Sequence, residues 1–241
     1  MNQRCIQDAI TPMPNVWYAV PSARTDGGTV RQWKDAGYRV AVYRDPGAEL
    51  LLWADLTLTG PYPGYANAVN AMCREILTRW PDTQWIVTGG DDVDPDPNHA
   101  PEEIAAECTT HFGGTFGVMQ PTGDRWGHEL RTGKMHIYIE NVAGSPWMGA
   151  EFCKRMYGGA GPLCSEYHHM FVDEELQRVA QQLGVFWQRP ELIQEHHHWM
   201  RENQREPEFL KRANRAFVES GLLFRVRAAA GFPGHEPSEA A

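Results

Sequence analysis

The sequence predicts an α/β fold in which a mostly parallel central sheet is flanked by helices and followed by a helical C-terminal extension. Three observations point there. Short apolar runs alternate with helix-period segments through the first half, most of these runs close on a polar or Gly/Pro-containing loop, and 241 residues suffice for one large domain without disulfide staples. The expected organisation is a single domain over 1–230, divided into a half over about 14–120, a second half over about 121–200 and a helical extension over about 201–230, with a flexible tail over 231–241.

Val16-Trp17-Tyr18-Ala19-Val20 is fully apolar and closed by Pro21-Ser22, as expected of a buried strand running into a loop. Gly27-Gly28 opens a short helical pattern with Val30 and Trp33 on one face, ending at Gly37. Strands are expected over 38–43 and 54–58. Over 65–80, Ala68, Met72, Ile76 and Leu77 form one stripe, Pro81 stops the helix, and Trp85-Ile86-Val87 is the next strand. The second half is less regular. It has a Gly-rich stretch over 113–133, an expected strand over 136–139, a turn at Gly144-Ser145-Pro146 leading to a helix near 151–156, and a helix over 171–183 with Leu176, Val179, Ala180 and Leu183 in line. From Gly231 the composition predicts a frayed end.

Composition narrows the function classes. With 42% hydrophobic and 22% charged residues the chain should be globular. Its 22 Lys+Arg against 31 Asp+Glu give a formal charge of -9, which leaves no overall positive field to gather nucleic acid, so any such contact would need a local basic patch. Five scattered cysteines (Cys5, Cys73, Cys108, Cys153, Cys164) without a Cys-x-x-Cys pair argue against a disulfide framework or a thiolate zinc site. No apolar stretch approaches the roughly 20 residues of a membrane span, and no signal-peptide segment follows Met1, so a cytoplasmic protein is expected.

In a parallel sheet the ligand site lies beyond the carboxyl ends of the strands. Those ends read Pro21-Ser22-Ala23-Arg24, then Arg44-Asp45, then Gly89-Gly90-Asp91-Asp92-Val93-Asp94. Asp91 to Asp96 puts four carboxylates within six positions after an apolar strand, a density that repels itself unless a cation or a solvated loop relieves it. A second cluster, Glu195-His196-His197-His198, offers imidazoles suited to Mn or Zn. In an extended segment His196 and His198 would share one side while His197 faces away, although three histidines in a row are also compatible with a plain polar turn. Asp173-Glu174-Glu175 opens the Leu176 helix, where carboxylates are favoured as caps. His168 and His169 just before it make a general base the alternative to simple capping.

These segments, in this order over roughly residues 14–200, resemble a GT-A (Rossmann-like) glycosyltransferase of the family-2 type. They are the strand ending in Pro-Ser-Ala-Arg, the Asp after the second strand, the helix start at Gly64 to Asn70, Trp-Ile-Val-Thr-Gly-Gly-Asp-Asp-Val-Asp, the Gly144 to Gly149 turn, Phe-Val-Asp-Glu-Glu-Leu and the late Glu-His-His-His. The resemblance implies a nucleotide-sugar-binding half over about 14–120, with Pro21, Ser22, Arg24, Asp45, Asp91 and Asp92 around the nucleotide. It implies Mn2+ or Mg2+ on Asp92 and Asp94, with His196 or His198 completing the shell, although Asp91 with Asp92 is an alternative register. Asp173, three positions before Leu176, would be the base in the acceptor half over about 121–200, and Trp147 would lie against a sugar or in the core. The implied donor is a nucleoside-diphosphate sugar, UDP foremost. The small size resembles phage or bacterial stand-alone enzymes, which by analogy offers a hydroxymethylated base of phage DNA or a surface glycan as acceptor. Two rivals use the same carboxylates: a non-catalytic, metal-stabilised binding module, and a metal-dependent phosphate-ester hydrolase or nucleotidyltransferase.

Overall fold

The computed structural model describes residues 16–25, 27–124, 144–199, 201, 205 and 216–239. Seven strands form one sheet in the order β3-β2-β1-β4-β6-β5-β7. They are β1 (Val16–Pro21), β2 (Arg39–Arg44), β3 (Leu56–Thr59), β4 (Trp85–Thr88), β5 (Val118–Pro121), β6 (Trp147–Gly149) and β7 (Phe186–Arg189). β1, β2, β3 and β4 run parallel, as do β5 and β7, while β6 runs antiparallel between β4 and β5. A mostly parallel seven-stranded sheet flanked by helices is consistent with the GT-A-like architecture.

Alternation along the strands builds two cores. Trp17, Ala19 and Ile86 face α2 (Tyr65–Arg79), α4 (Ala150–Gly159), α5 (Val172–Gln182) and α6 (Phe217–Ala229), in a core that includes Met72, Ile76, Phe152, Leu176 and Val179. Val16, Tyr18, Val20, Trp85 and Val87 face α1 (Val30–Asp35) and α3 (Pro101–Phe112) through Val30, Trp33, Ile104 and Cys108. The expected strand over 136–139 lies outside the described residues. Within residues 231–239, Phe232 is buried, and Ser238 and Arg155 exchange hydrogen bonds at 2.7 and 3.0 Å. Among the described residues no helix is long and apolar enough to cross a membrane.

A buried ionic knot fixes the helical end of the chain. The carboxylate of Glu175, fully buried on α5, accepts side by side from Nη2 and Nε of Arg227 at 2.8 and 2.9 Å and from the hydroxyls of Tyr157 and Tyr167 at 2.9 and 2.8 Å. Glu166 joins from outside as a second partner of Arg227. Because α6 carries Arg227, this knot ties the extension to the helix that holds Asp173 in its first turn.

Candidate active site

The loop after β4 is pinned from beneath by the α1 side of the sheet. Tyr18, stacked on Trp33 at 3.8 Å, donates its hydroxyl to the Gly90 carbonyl at 2.6 Å, while Trp33 Nε1 and Thr29 Oγ1 donate to Val93 O at 2.6 and 2.9 Å. Gly28 lets the loop after β1 come close, since at φ +56 a Cβ there would lie 2.8 Å from the Asp91 carbonyl.

Each acidic residue then finds a different partner. Asp91 accepts from Ser22 Oγ at 2.7 Å and Arg24 Nε at 3.2 Å, so the β1 and β4 loops meet through this carboxylate. Burial raises its pKa, and Ser22 and Arg24 only partly offset that. Asp92 Oδ1 lies 3.3 Å from His196 Nε2. Burial pushes Asp92 upward, but His196, with Arg24 and His198 behind it, wins and holds the carboxyl below the usual carboxylate range. Asp94 Oδ2 meets His197 Nε2 at 2.9 Å, while Asp94 Oδ1 is a buried oxygen without a hydrogen-bond partner. Asp96 is 4% exposed and accepts from the backbone N–H groups of Asn98, His99 and Ile193.

Two clusters just over a hundred residues apart are thus joined. Val93 and His196 form an antiparallel bridge, with Asp94 N donating to Glu195 O and His197 N to Asp92 O, both at 2.8 Å. The histidine segment is held on its other side by Gln194, which accepts from Trp147 Nε1 at 2.8 Å and donates to Ser145 Oγ, and by Asp124, which accepts from His196 N and Arg201. The His196 and His198 rings meet edge to face at 5.2 Å, and His197 turns instead to Asp94. Burial, then His196, lowers the His198 pKa to about 4, so its imidazole is neutral at pH 7.

The crowding of the acidic loop is relieved in part by Ser22, Arg24, two histidines and backbone amides. Among the described residues no three His, Cys, Asp or Glu side chains are gathered to hold a metal ion. The residues expected to ligate one lie close by in sequence and space: Asp92 beside His196, His196 beside His198, and Asp94 with one buried oxygen unpartnered. Trp147 is fully buried in the core, which excludes it from stacking on a sugar.

The chain is matched by no family model and by no curated protein. Among solved structures it is similar to one described as the crystal structure of a glycosyltransferase involved in the glycosylation of the major capsid of PBCV-1. The identity is 13% and the TM-score 0.33, over 58% of this chain and 62% of that one. The chain therefore spans less than two thirds of that structure, and a likeness of this degree identifies no activity.

Around the same edge stand the remaining expected residues. Pro21 ends β1, and Asp45 is exposed beyond β2, where its Oδ1 accepts from Tyr62 N at 3.1 Å. Asp173 is half-buried near the start of α5, accepting from Glu174 N at 3.0 Å. Tyr65 N donates to His168 O at 2.6 Å and its hydroxyl reaches Thr88 Oγ1 at 3.1 Å and Gly89 O at 3.4 Å, so the segment just before α5 is tied to the end of β4. Burial raises the Asp173 pKa, and burial together with the Asp173 charge raises Glu174 to about 7. Tyr62 and Tyr65 meet His168 and His169 edge to face, at 5.6 and 5.8 Å. Gly64 permits this contact, since at φ +93 a Cβ there would lie 2.7 Å from His168 Nδ1.

Sequence reasoning missed Asp96, Asp124, Gln194 and Ser145 as organisers. Only Asp96 carried a signal, in the Asx-type turn suggested by Asp96-Pro97-Asn98.

Proposed function

We propose that this chain is a glycosyltransferase of GT-A, family-2-like type that moves a sugar from a nucleoside-diphosphate sugar to an acceptor hydroxyl, with inversion at the anomeric carbon. The observation that carries the reading is the meeting of Asp91 to Asp94 with His196 and His198 beside the β1 loop, with Asp173 across the same edge. Pro21, Ser22, Arg24 and Asp45 would bind and orient the nucleotide. Asp92, His196 and His198, with Asp94 beside them, would hold Mn2+ or Mg2+, and a site with few protein ligands suits a cation whose shell is completed by phosphate oxygens. When bound, the cation offsets the charge that builds on the departing diphosphate.

Asp173 takes the proton from the acceptor hydroxyl. Its raised pKa brings it closer to the pH at which a base works best, and Glu174 shares the local charge. Tyr65 and His169 meet edge to face on this side. The test is to incubate the chain with nucleotide sugars and Mn2+ without acceptor and to assay products. Slow release of nucleoside diphosphate, lost in EDTA, is expected. Pyrophosphate or inorganic phosphate would instead mark a nucleotidyltransferase or hydrolase, and no turnover with intact binding would mark a binding module.

A further inference from the structure

Three arginines are buried among the described residues: Arg44, Arg189 and Arg227. Arg189 pairs with Glu107 and Glu191, and Arg227 with Glu175 and Glu166. Arg44, the last residue of β2 and 1% exposed, has no such partner. Its Nη1 donates to the Arg24 carbonyl at 3.0 Å, while Nε and Nη2 are both buried with no hydrogen-bond partner.

The two unused nitrogens share one edge of the guanidinium, the edge that takes two oxygens of a phosphate or carboxylate side by side. An arginine does not shed its proton in a protein, and buried donors are almost always satisfied. A charge left this way is therefore a group whose partner arrives from elsewhere. Its location says from where. The carbonyl it holds belongs to the loop after β1, whose Ser22 and Arg24 side chains reach Asp91, so the open edge lies at the carboxyl end of the parallel strands, where such sheets receive ligands.

We infer that Arg44 is the receptor for an oxyanion group of the bound ligand, a phosphate or a carboxylate seated on Nε and Nη2. Entry requires the turn at Ser22 to Arg24 to shift. The ties that resist this are side-chain contacts of Ser22 and Arg24 with Asp91, together with the backbone bond from Thr29 N to Asp91 O at 3.4 Å. Gly27 and Gly28, at φ +84 and +56, stand just beyond that turn. The inference rests on the nucleotide-sugar reading only for what carries the oxyanion: the diphosphate, or the carboxylate of a uronic sugar.

The experiment uses the full chain and its Arg44→Met and Arg44→Lys variants, titrated with pyrophosphate, inorganic phosphate and glucuronate, without nucleotide or metal, by calorimetry and thermal unfolding. At least one of the three should bind the parent chain. Affinity should fall about 10- to 100-fold in Arg44→Met, and also in Arg44→Lys, whose point charge does not reproduce the fork. Without anion, Arg44→Met should melt no lower than the parent, because an apolar chain replaces an uncompensated buried charge. Preference for pyrophosphate or phosphate over glucuronate identifies the diphosphate as carrier, and the reverse the uronate. The inference is overturned if none of the anions binds the parent chain, if both variants bind as tightly as it does, or if anion-free Arg44→Met melts lower or fails to fold. Because no nucleotide is present, oxyanion binding can hold while nucleotide-sugar turnover is absent, which separates the two failures.

Discussion

The acidic run after β4 and the acidic run opening α5 look alike in sequence and are handled by opposite means. In the first, each carboxylate has its own neighbour: Ser22 and Arg24 for Asp91, His196 for Asp92, His197 for Asp94 and backbone amides for Asp96. In the second, Glu175 takes all of the strong partners, Arg227 and two tyrosines, and Asp173 and Glu174 are left with burial and each other. The difference teaches that acidic density has no single meaning. A carboxylate held charged by a partner suits cation or ligand binding, and one pushed toward neutrality suits proton transfer.

That contrast is open to direct attack, and the largest effect is expected where the proton moves. Asp173→Asn should lower sugar transfer by ~100- to 10,000-fold while leaving nucleotide-sugar binding unchanged in calorimetry. Asparagine caps helices well, so nearly full activity would return Asp173 to a purely structural role. Next in size is Arg227→Met, which strands the Glu175 carboxylate and should cost about 3–5 kcal/mol in urea unfolding. A loss under about 1 kcal/mol would mean that the tyrosines alone suffice.

The β4 side should respond in binding rather than in folding. Mn2+ or Mg2+ should tighten UDP binding beyond what the metal-free chain supports, and Asp92→Asn and His198→Ala should weaken the metal-supported binding by at least the ~10- to 100-fold that outer partners of a metal site alone contribute. His197→Ala, which removes only a partner of Asp94, should weaken it less, so equal losses in His197→Ala and His198→Ala would erase the distinction drawn between them. The smallest effect concerns pH. Glu174 has its folded-state pKa raised to about 7 from 4.5, so its protonation favours the fold: the contribution is fully present below 4.5 and is lost as pH rises through about 7. Melting temperature against pH between 4.5 and 7.5 should therefore fall less steeply in Glu174→Gln, and parallel curves would refute the assignment.

The strands that read directly from sequence are those whose whole length is apolar, such as Val16 to Val20, and the helices are those with a sustained stripe, as over 65–80. β5, β6 and β7 escaped because three or four residues carry no measurable period, and because Gly117 and Gly149 beside them suggest loop. α3 escaped because its buried face is Ile104, Ala105 and Cys108, a weak stripe behind a run of acids and prolines. At the candidate site, residue types were legible and pairings were not. Nothing local distinguishes Arg44, which lacks a partner, from Arg189, which has two, since their partners are settled by the tertiary arrangement. Likewise the wish of Asp92 for a counter-charge was evident, but that His196 meets it depends on a bridge between segments over a hundred residues apart.

That bridge has a bearing on how the protein is made. β1, β2, β3 and β4 pair among themselves using residues up to Thr88, so the sheet's first half can assemble while the chain is still emerging. The Asp91 to Asp94 loop cannot finish until Glu195 to His198 have left the ribosome, and the contact from Asp94 to His197 closes a separation of 103 residues. For that interval the nascent chain carries a self-repelling acidic hairpin with no imidazole to quiet it. Closure of so long a loop is slow relative to local pairing. Maturation of this edge should therefore come after the half-sheet has formed, and chains stalled before residue 195 should hold a formed half-sheet with a disordered rim.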